Sequence, residues 1–294
     1  MRVLIIGANG LLARNLVNLL SSNNQVFALI KHDREAKFKV SENVSVIYQN
    51  INKLDLDKFP ENVDVVYYLA QSNRFREFPD GVKDMMEINV NSPLKIVEWA
   101  RTNKVKKFIY ASSGGVYTNP KDPMQEISAI NANEVLGFYL NSKLCAEMLL
   151  NTFAKYFETF SIVRPFFIYG EEQNETMLIP RLINSVKNEK GITIFGKEGL
   201  KINPIYVDDA VLAFANIMNT KGNKTFNIAG DEIVSLKSLC KVISGLLKTP
   251  LQLVYENKDQ KDLIADNSLM KEHLHKPIIS LNEGLKKLIF HNLL

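Results

Sequence analysis

Val3-Leu4-Ile5-Ile6-Gly7-Ala8-Asn9-Gly10-Leu11-Leu12-Ala13 opens the chain and decides its architecture. Four apolar residues, three of them β-branched, read as a buried strand. Two closely spaced glycines then turn the chain into a stretch of helical period, Leu11 to Ser21. A glycine at so tight a turn lets the backbone approach a pyrophosphate, whose charge meets free N–H groups and the positive end of the helix dipole. Taken alone, the same turn also reads as a plain connection. Its place at the head of an alternating chain favours the phosphate reading.

Working outward, short β-branched runs alternate with longer amphipathic stretches, the pattern of βαβ units and a parallel sheet. Strands are expected at Val3 to Ile6, Gln25 to Ile30, Val44 to Tyr48, Val63 to Leu69, Lys107 to Ala111 and Thr159 to Val163, with a late strand at Thr225 to Ile228 returning to the sheet. Helices are expected over Leu11 to Ser21, Met85 to Asn103 and Val135 to Phe157. After Arg164-Pro165 the texture changes: glycines appear at Gly170, Gly191, Gly196 and Gly199, and amphipathic stretches at Met177 to Lys187 and Leu236 to Leu247. A smaller lobe, threaded through the first unit, accounts for this.

The 294 residues are 46% hydrophobic and 23% charged, the balance of an ordinary globular protein. A net charge of +4, spread along the whole length, lacks the footprint of a nucleic-acid binder. No apolar run approaches the roughly 20 residues of a membrane span, and the run before Gly7 is too short for a signal-peptide core. Cys145 and Cys240 stand in unrelated contexts, and His32, His273, His275 and His291 show no ligand spacing. The expectation is a metal-free site in a reducing cytoplasm.

Within the helix expected from Val135, Tyr139-Leu140-Asn141-Ser142-Lys143 puts a phenol and an ammonium one turn apart on the same face. A free tyrosine titrates near ~10, so a catalytic phenol needs a neighbouring positive charge. Lys143 supplies one, and Tyr139 can then take a proton from a substrate hydroxyl or return it. Upstream, Tyr110-Ala111-Ser112-Ser113-Gly114-Gly115-Val116-Tyr117 follows a strand that ends at the same sheet edge, where a hydroxyl could hold the substrate oxygen. After the second strand, Ile30-Lys31-His32-Asp33-Arg34 carries no acid at the strand's end. Lys31, His32 or Arg34 would suit a 2′-phosphate and lean the cofactor toward NADP, a solvated surface turn is equally consistent, and Asp33 keeps NAD open.

Gly7-x-x-Gly10-x-x-Ala13, Leu69-Ala70, Asn89, Ser112-Ser113 with Val116-Tyr117, Tyr139-x-x-x-Lys143, Arg164-Pro165 with Tyr169-Gly170, and Tyr206-Val207-Asp208-Asp209 together resemble the extended short-chain dehydrogenase/reductase family, in its NAD-dependent epimerase/dehydratase group, which acts mainly on nucleotide sugars. The resemblance implies a doubly wound Rossmann-type parallel sheet over 1–169 and about 203–230, with a substrate lobe over about 170–202 and 231–294. It implies that Gly7, Asn9, Gly10, Leu11 and Leu12 hold the pyrophosphate, and that Asn50 and Ile51 lie by the adenine. Leu69, Ala70 and Gln71 would line the ribose, and Pro165 and Phe166 the nicotinamide. Ser113, Tyr139 and Lys143 are the implied catalytic set. A homodimer through the helices bearing Asn89 to Arg101 and Tyr139 to Phe157 is also implied.

Two departures narrow the reading. Dehydratases of the group place an Asp-Glu pair after the catalytic hydroxyl, whereas this chain has Gly114-Gly115, which disfavours dehydration. Many epimerases carry an arginine for the substrate diphosphate where this chain has Ile202, leaving Lys201, Lys258 or Lys261 as point-charge substitutes. Gly114, Arg74, Arg76 and Lys201 are the candidate substrate contacts. The expected activity is hydride chemistry at a ring carbon of a nucleotide sugar, as epimerase or 4-keto-sugar reductase. The alternatives are a reductase of non-nucleotide ketones or aldehydes and a silent cofactor-binding regulator.

Overall fold

The computed structural model describes residues 1–118, 123–130, 136–258 and 260–291. In chain order its first half runs β1 (Arg2–Ile6), α1 (Leu11–Leu20), β2 (Gln25–Ile30), β3 (Val44–Tyr48), β4 (Val65–Tyr68), α2 (Val82–Met86), a π-helical segment (Glu87–Asn91), α3 (Ser92–Thr102), β5 (Lys107–Ala111), α4 (Phe138–Asn151) and β6 (Thr159–Pro165). The second half runs β7 (Ile168–Tyr169), α5 (Leu178–Lys187), β8 (Ile192–Phe195), β9 (Lys201–Ile202), β10 (Ile205–Tyr206), α6 (Val207–Ile217), β11 (Gly222–Ile228), β12 (Val234–Ser235), α7 (Leu236–Leu247), β13 (Leu253–Glu256), α8 (Ser268–His273) and α9 (Leu281–Phe290).

Seven of these strands form one parallel sheet in the order β11-β6-β5-β4-β1-β2-β3. Period-two alternation explains why both faces are covered. Val3, Ile5, Val65 and Tyr67 point into one apolar cluster with Leu16, Val17 and Phe214 from α1 and α6. Leu4, Ile6, Val66 and Tyr68 point into the other, with Ile96, Val97, Ala146 and Leu150 from α3 and α4. The chain winds outward from β1 through β2 to β3, then returns to the other side of β1 as β4. That reversal leaves a crevice beyond the carboxyl ends of β1 and β4, the place where ligands enter open α/β sheets.

Several boundaries differ from the sequence expectation. The strand expected over Val63 to Leu69 is shorter, Val65–Tyr68, whereas the late strand begins earlier, at Gly222. The helix expected over Met85 to Asn103 starts at Val82 and changes to π geometry at Glu87–Asn91. There the hydroxyls of Tyr68 and Tyr110 donate to the carbonyls of Ile88 and Asn89, so buried tyrosines satisfy backbone acceptors within the altered turn. The helix expected over Val135 to Phe157 runs from Phe138 to Asn151, and Val135 lies outside the described residues.

Three small pairings, β7 with β10, β8 with β13 and β9 with β12, support the remaining helices. Among the described residues no helix is long and apolar enough to cross a membrane.

Candidate active site

At the mouth of the crevice Gly7 has φ +84°, and a Cβ added there would lie 2.8 Å from the Ala70 Cα. The turns after β1 and β4 therefore touch, and glycine is required on both counts. Gly10 is the N-cap of α1, whose first turn has no side-chain cap and no acidic residue. Its leading N–H groups, including those of Leu11 and Leu12, are left to an anion, a cradle that fits a dinucleotide pyrophosphate. Between the two glycines, the Asn9 side chain turns to the neighbouring loop. Its Nδ2 donates to the Glu35 carbonyl at 2.8 Å and its Oδ1 accepts from the Lys37 N–H at 2.9 Å, so the side chain braces the loop after β2.

In that loop Lys31 donates to Asp33 at 3.1 Å, and Arg34 stands 4.0 Å from the same carboxylate. The hydrogen bond from Lys31 holds the Asp33 carboxyl below its ordinary range. Asn50 caps a short 3-10 turn by accepting from the Asn52 N–H at 3.0 Å, and Ile51 packs half-buried against the cluster under α3.

The chemical end is built on α4, which Gly137 opens at φ +84°. Its buried stripe is Ser142, Lys143, Ala146, Glu147 and Leu150, an unusual amount of polar chemistry to turn inward. Lys143 is 1% exposed; its Nζ donates to the Ala111 carbonyl at 2.9 Å and sits 5.0 Å from the Tyr110 ring centroid. Burial pulls this amine down to about 7, with the Glu147 charge opposing. One turn earlier, the half-buried Tyr139 donates to Gln71 Oε1 at 3.0 Å, and its ring packs 5.3 Å from Phe75. Burial pushes the phenol up to about 12, against the opposing effect of a hydrogen bond with Ser113. Ser113 Oγ also accepts from the Gly115 N–H at 3.2 Å.

Tyr139, Ser113 and Gln71 are thus brought together, with Lys143 one turn away and Leu69 and Ala70 leading into the loop that carries Gln71. Phe166 is buried behind them, following Pro165 at the end of β6. A Cβ on Gly114 would come within 2.4 Å of the Phe166 ring, which accounts for glycine there without any substrate contact. The expected substrate arginines are already engaged. Arg74 pairs with Glu77 at 2.6 Å, and Arg76 lies over the Phe75 ring at 4.6 Å while donating to the Thr176 carbonyl at 3.0 Å. Lys201 is exposed on β9 with its backbone N–H on Asp262, and Ile202 beside it is fully buried.

Sequence reasoning missed the brace behind the pair. Asn89, fully buried in the π segment, accepts from the Ser72 N–H at 3.2 Å and donates to Ser142 Oγ at 2.9 Å. It ties the loop after β4 to the helix residue next to Lys143. Deeper on the same helix face, Glu147 receives both prongs of Arg164, at 3.1 and 2.6 Å. The available signal was a helix whose inward stripe contains Ser, Lys and Glu.

The buried amine has a cost that depends on pH. Its folded value of about 7 lies below its unfolded value of 10.5, so the unfolded chain binds the extra proton between those limits. Stability therefore rises with pH across that window, by up to about 1.4 kcal/mol per pH unit, and the penalty is complete below pH 7. Lys143→Met is expected to raise Tm most at pH 6 and progressively less toward pH 10. A Tm difference independent of pH, followed by circular dichroism, rejects this.

The model of the NAD dependent epimerase/dehydratase family matches residues 3–229. The UDP-glucuronate 4-epimerase of Thermodesulfobacterium geofontis is 26% identical over 276 residues, covering 91% of this chain and 85% of that protein. The dTDP-4-dehydro-6-deoxyglucose reductase of Escherichia coli is 29% identical over 252 residues, covering 82% and 78%. Among solved structures, UDP-glucuronic acid 4-epimerase from Bacillus cereus, in complex with UDP-glucuronic acid and NAD, superposes with a TM-score of 0.86 at 24% identity, over 97% of each chain. That likeness establishes the Rossmann-type fold, and the family match covers the glycine turn, Ser113 and the Tyr139/Lys143 pair. The chain belongs to the NAD-dependent epimerase/dehydratase family.

Proposed function

We propose that this NAD-dependent enzyme epimerises a nucleoside-diphosphate sugar by oxidation and re-reduction at one ring carbon. The observation that carries the reading is the cluster of Tyr139, Ser113 and Gln71, one helix turn from the buried Lys143, at the carboxyl edge of the sheet. Tyr139 takes the proton of the ring hydroxyl, Ser113 holds the same oxygen, and Lys143 lends positive charge to the phenolate. NAD, when bound, would supply the hydride acceptor and donor for the oxidation and re-reduction at that carbon. Gln71 would hold the phenol aimed until substrate arrives.

Gly7, Gly10, Leu11 and Leu12 are assigned to the pyrophosphate through their backbone, Asn50 and Ile51 to the adenine side, Leu69 and Ala70 to the ribose, and Pro165 and Phe166 to the nicotinamide. NAD is favoured over NADP because Lys31 and Arg34 both face Asp33, whose carboxylate would repel a 2′-phosphate. The B. cereus neighbour likewise holds NAD. Residues 1–169 with 203–230 would carry the cofactor, and 170–202 with 231–294 the sugar nucleotide. Gly114-Gly115 in place of an acid pair speaks against dehydration, although dTDP-D-glucose 4,6-dehydratases are among the relatives. Exposed Met148, Leu149 and Met86 on α4 and α2 would join two copies as a dimer, which light scattering checks. Free Cys145 and Cys240 fit a reducing compartment such as the cytoplasm.

The deciding experiment incubates the NAD-loaded protein with a panel of UDP- and dTDP-sugars and follows products by mass spectrometry and NMR. Mass-neutral inversion at one carbon without net NADH is the expected outcome. A two-dalton gain that consumes reduced cofactor would make it a ketoreductase, and no turnover of any nucleotide sugar would return the reading to simple ketones or a silent cofactor binder.

A further inference from the structure

Resting on that reading, we propose that Phe75 is a positioning residue for Tyr139: from the loop after β4 its ring holds the first turn of α4, so that the phenol keeps its aim while its hydroxyl changes partners during turnover. Tyr139 is the second residue of α4, whose cap, Gly137, forms no side-chain hydrogen bond and whose first turn holds no acidic residue. The leading N–H groups of a helix lack intrahelical partners, and an end without a side-chain cap opens more readily than the interior. The phenol that the reaction needs fixed is therefore carried by the end of its helix that the backbone holds least.

Two kinds of contact hold that turn. The polar ones, the hydrogen bonds of the Tyr139 hydroxyl with Gln71 and Ser113, are exchanged when a ring hydroxyl arrives. The apolar ones stay. The Phe75 and Tyr139 ring centroids are 5.3 Å apart with their planes at 51°, and Phe78 stacks on Phe138 at 5.9 Å. A Leu140 methyl packs where Gly115 leaves room, since a Cβ on Gly115 would lie 2.9 Å from it. Of the two loop rings Phe78 is 66% exposed and Phe75 half-buried, so Phe75 carries the contact. An aromatic pair at such a centroid distance adds attraction beyond the area it buries.

A brace must itself be fixed, and residues 72–81 are fastened at several points. Ser72 donates its hydroxyl to Asp84 of α2 and accepts from the Arg74 N–H at 3.0 Å. Arg74 pairs with Glu77 at 2.6 Å, and a Cβ on Gly81 would lie 2.6 Å from the Arg74 carbonyl oxygen, so the loop closes on itself. Arg76 lies over the Phe75 ring at 4.6 Å and donates to the Thr176 carbonyl at 3.0 Å, which ties the ring to the segment ahead of α5.

The test uses the NAD-loaded protein and the variants Phe75→Leu and Phe75→Tyr, with Phe75→Leu also combined with Tyr139→Phe. Hydrogen exchange over Phe138 to Lys143, followed by mass spectrometry without substrate, is expected to run about 3- to 10-fold faster in Phe75→Leu, the effect of losing one aromatic pair, and at the wild-type rate in Phe75→Tyr. On the nucleotide sugar that wild type epimerises, Phe75→Leu should lower kcat about 10- to 100-fold with KM nearly constant, because a displaced phenol loses its alignment, and Phe75→Tyr should restore it. Adding Phe75→Leu to Tyr139→Phe should cost less than about 3-fold further, since no phenol remains to be aimed. A ring that served stability alone would lower Tm and produce neither the split between kcat and KM nor this non-additivity. Unchanged exchange over the first turn, or the same loss of kcat in both backgrounds, overturns the positioning role. Wild type that turns over no nucleotide sugar overturns the epimerase reading, and the exchange measurement, which needs no substrate, then decides the brace by itself.

Discussion

Tyr139→Phe is expected to lower kcat by about 10²- to 10⁴-fold, the range for removing a positioned general acid–base, while NAD still binds. The phenol touches Gln71 and Ser113 and no part of the glycine turn, so its loss should leave the cofactor cradle intact. Phenylalanine keeps the packing against Phe75 and forfeits only the hydroxyl. The expected signature is therefore a collapse of kcat with little change in Tm or in NAD affinity, measured by steady-state kinetics and fluorescence titration. Turnover within a few-fold of wild type would remove Tyr139 from the chemistry.

For stability, the largest single loss should come from Arg164→Met. Arg164 and Glu147 are almost wholly buried, with side chains 8% and 5% exposed, and form a two-pronged pair; the guanidinium also lies 4.6 Å from the Tyr117 ring centroid. Removing the cation strands a carboxylate in a medium that cannot solvate it, a loss of about 3–5 kcal/mol. Replacing both partners with apolar residues, Glu147→Leu with Arg164→Met, should recover most of it, because the penalty belongs to the unpaired charge rather than to the missing pair. Urea denaturation of the two single variants and the double variant measures this directly. Additive losses would mean that the pair is not acting as a unit.

The same residues show how far local pattern reaches. The turn Gly7 to Gly10 and the Tyr139/Lys143 spacing were legible because each is set within one or two turns of chain, where sequence distance and spatial distance nearly coincide. So were the sheet strands, whose alternation sorts Val3 and Ile5 from Leu4 and Ile6 before any fold is known. The partners that candidate side chains meet elsewhere in the fold were not legible. Nothing local to Asn9 announces that its side chain is held by Glu35 and Lys37, nor anything local to Gly114 that Phe166 would crowd a Cβ there. Even the short-range partner Glu77 was invisible as such, since nothing in a loop sequence says which rotamers meet.

From the sequence alone came the class of fold, the glycine turn after β1 and the one-turn spacing of Tyr139 and Lys143, all properties of short segments whose periodicity or spacing forces their geometry. The tertiary structure alone decided which polar groups are spent and on what: that Asn89 braces the pair, that Ile202 is sealed in, and that Arg164 is held by Glu147. Those outcomes depend on strand order and on contacts between residues far apart in the chain, where the free energy of burial is shared among many partners and no local pattern records it.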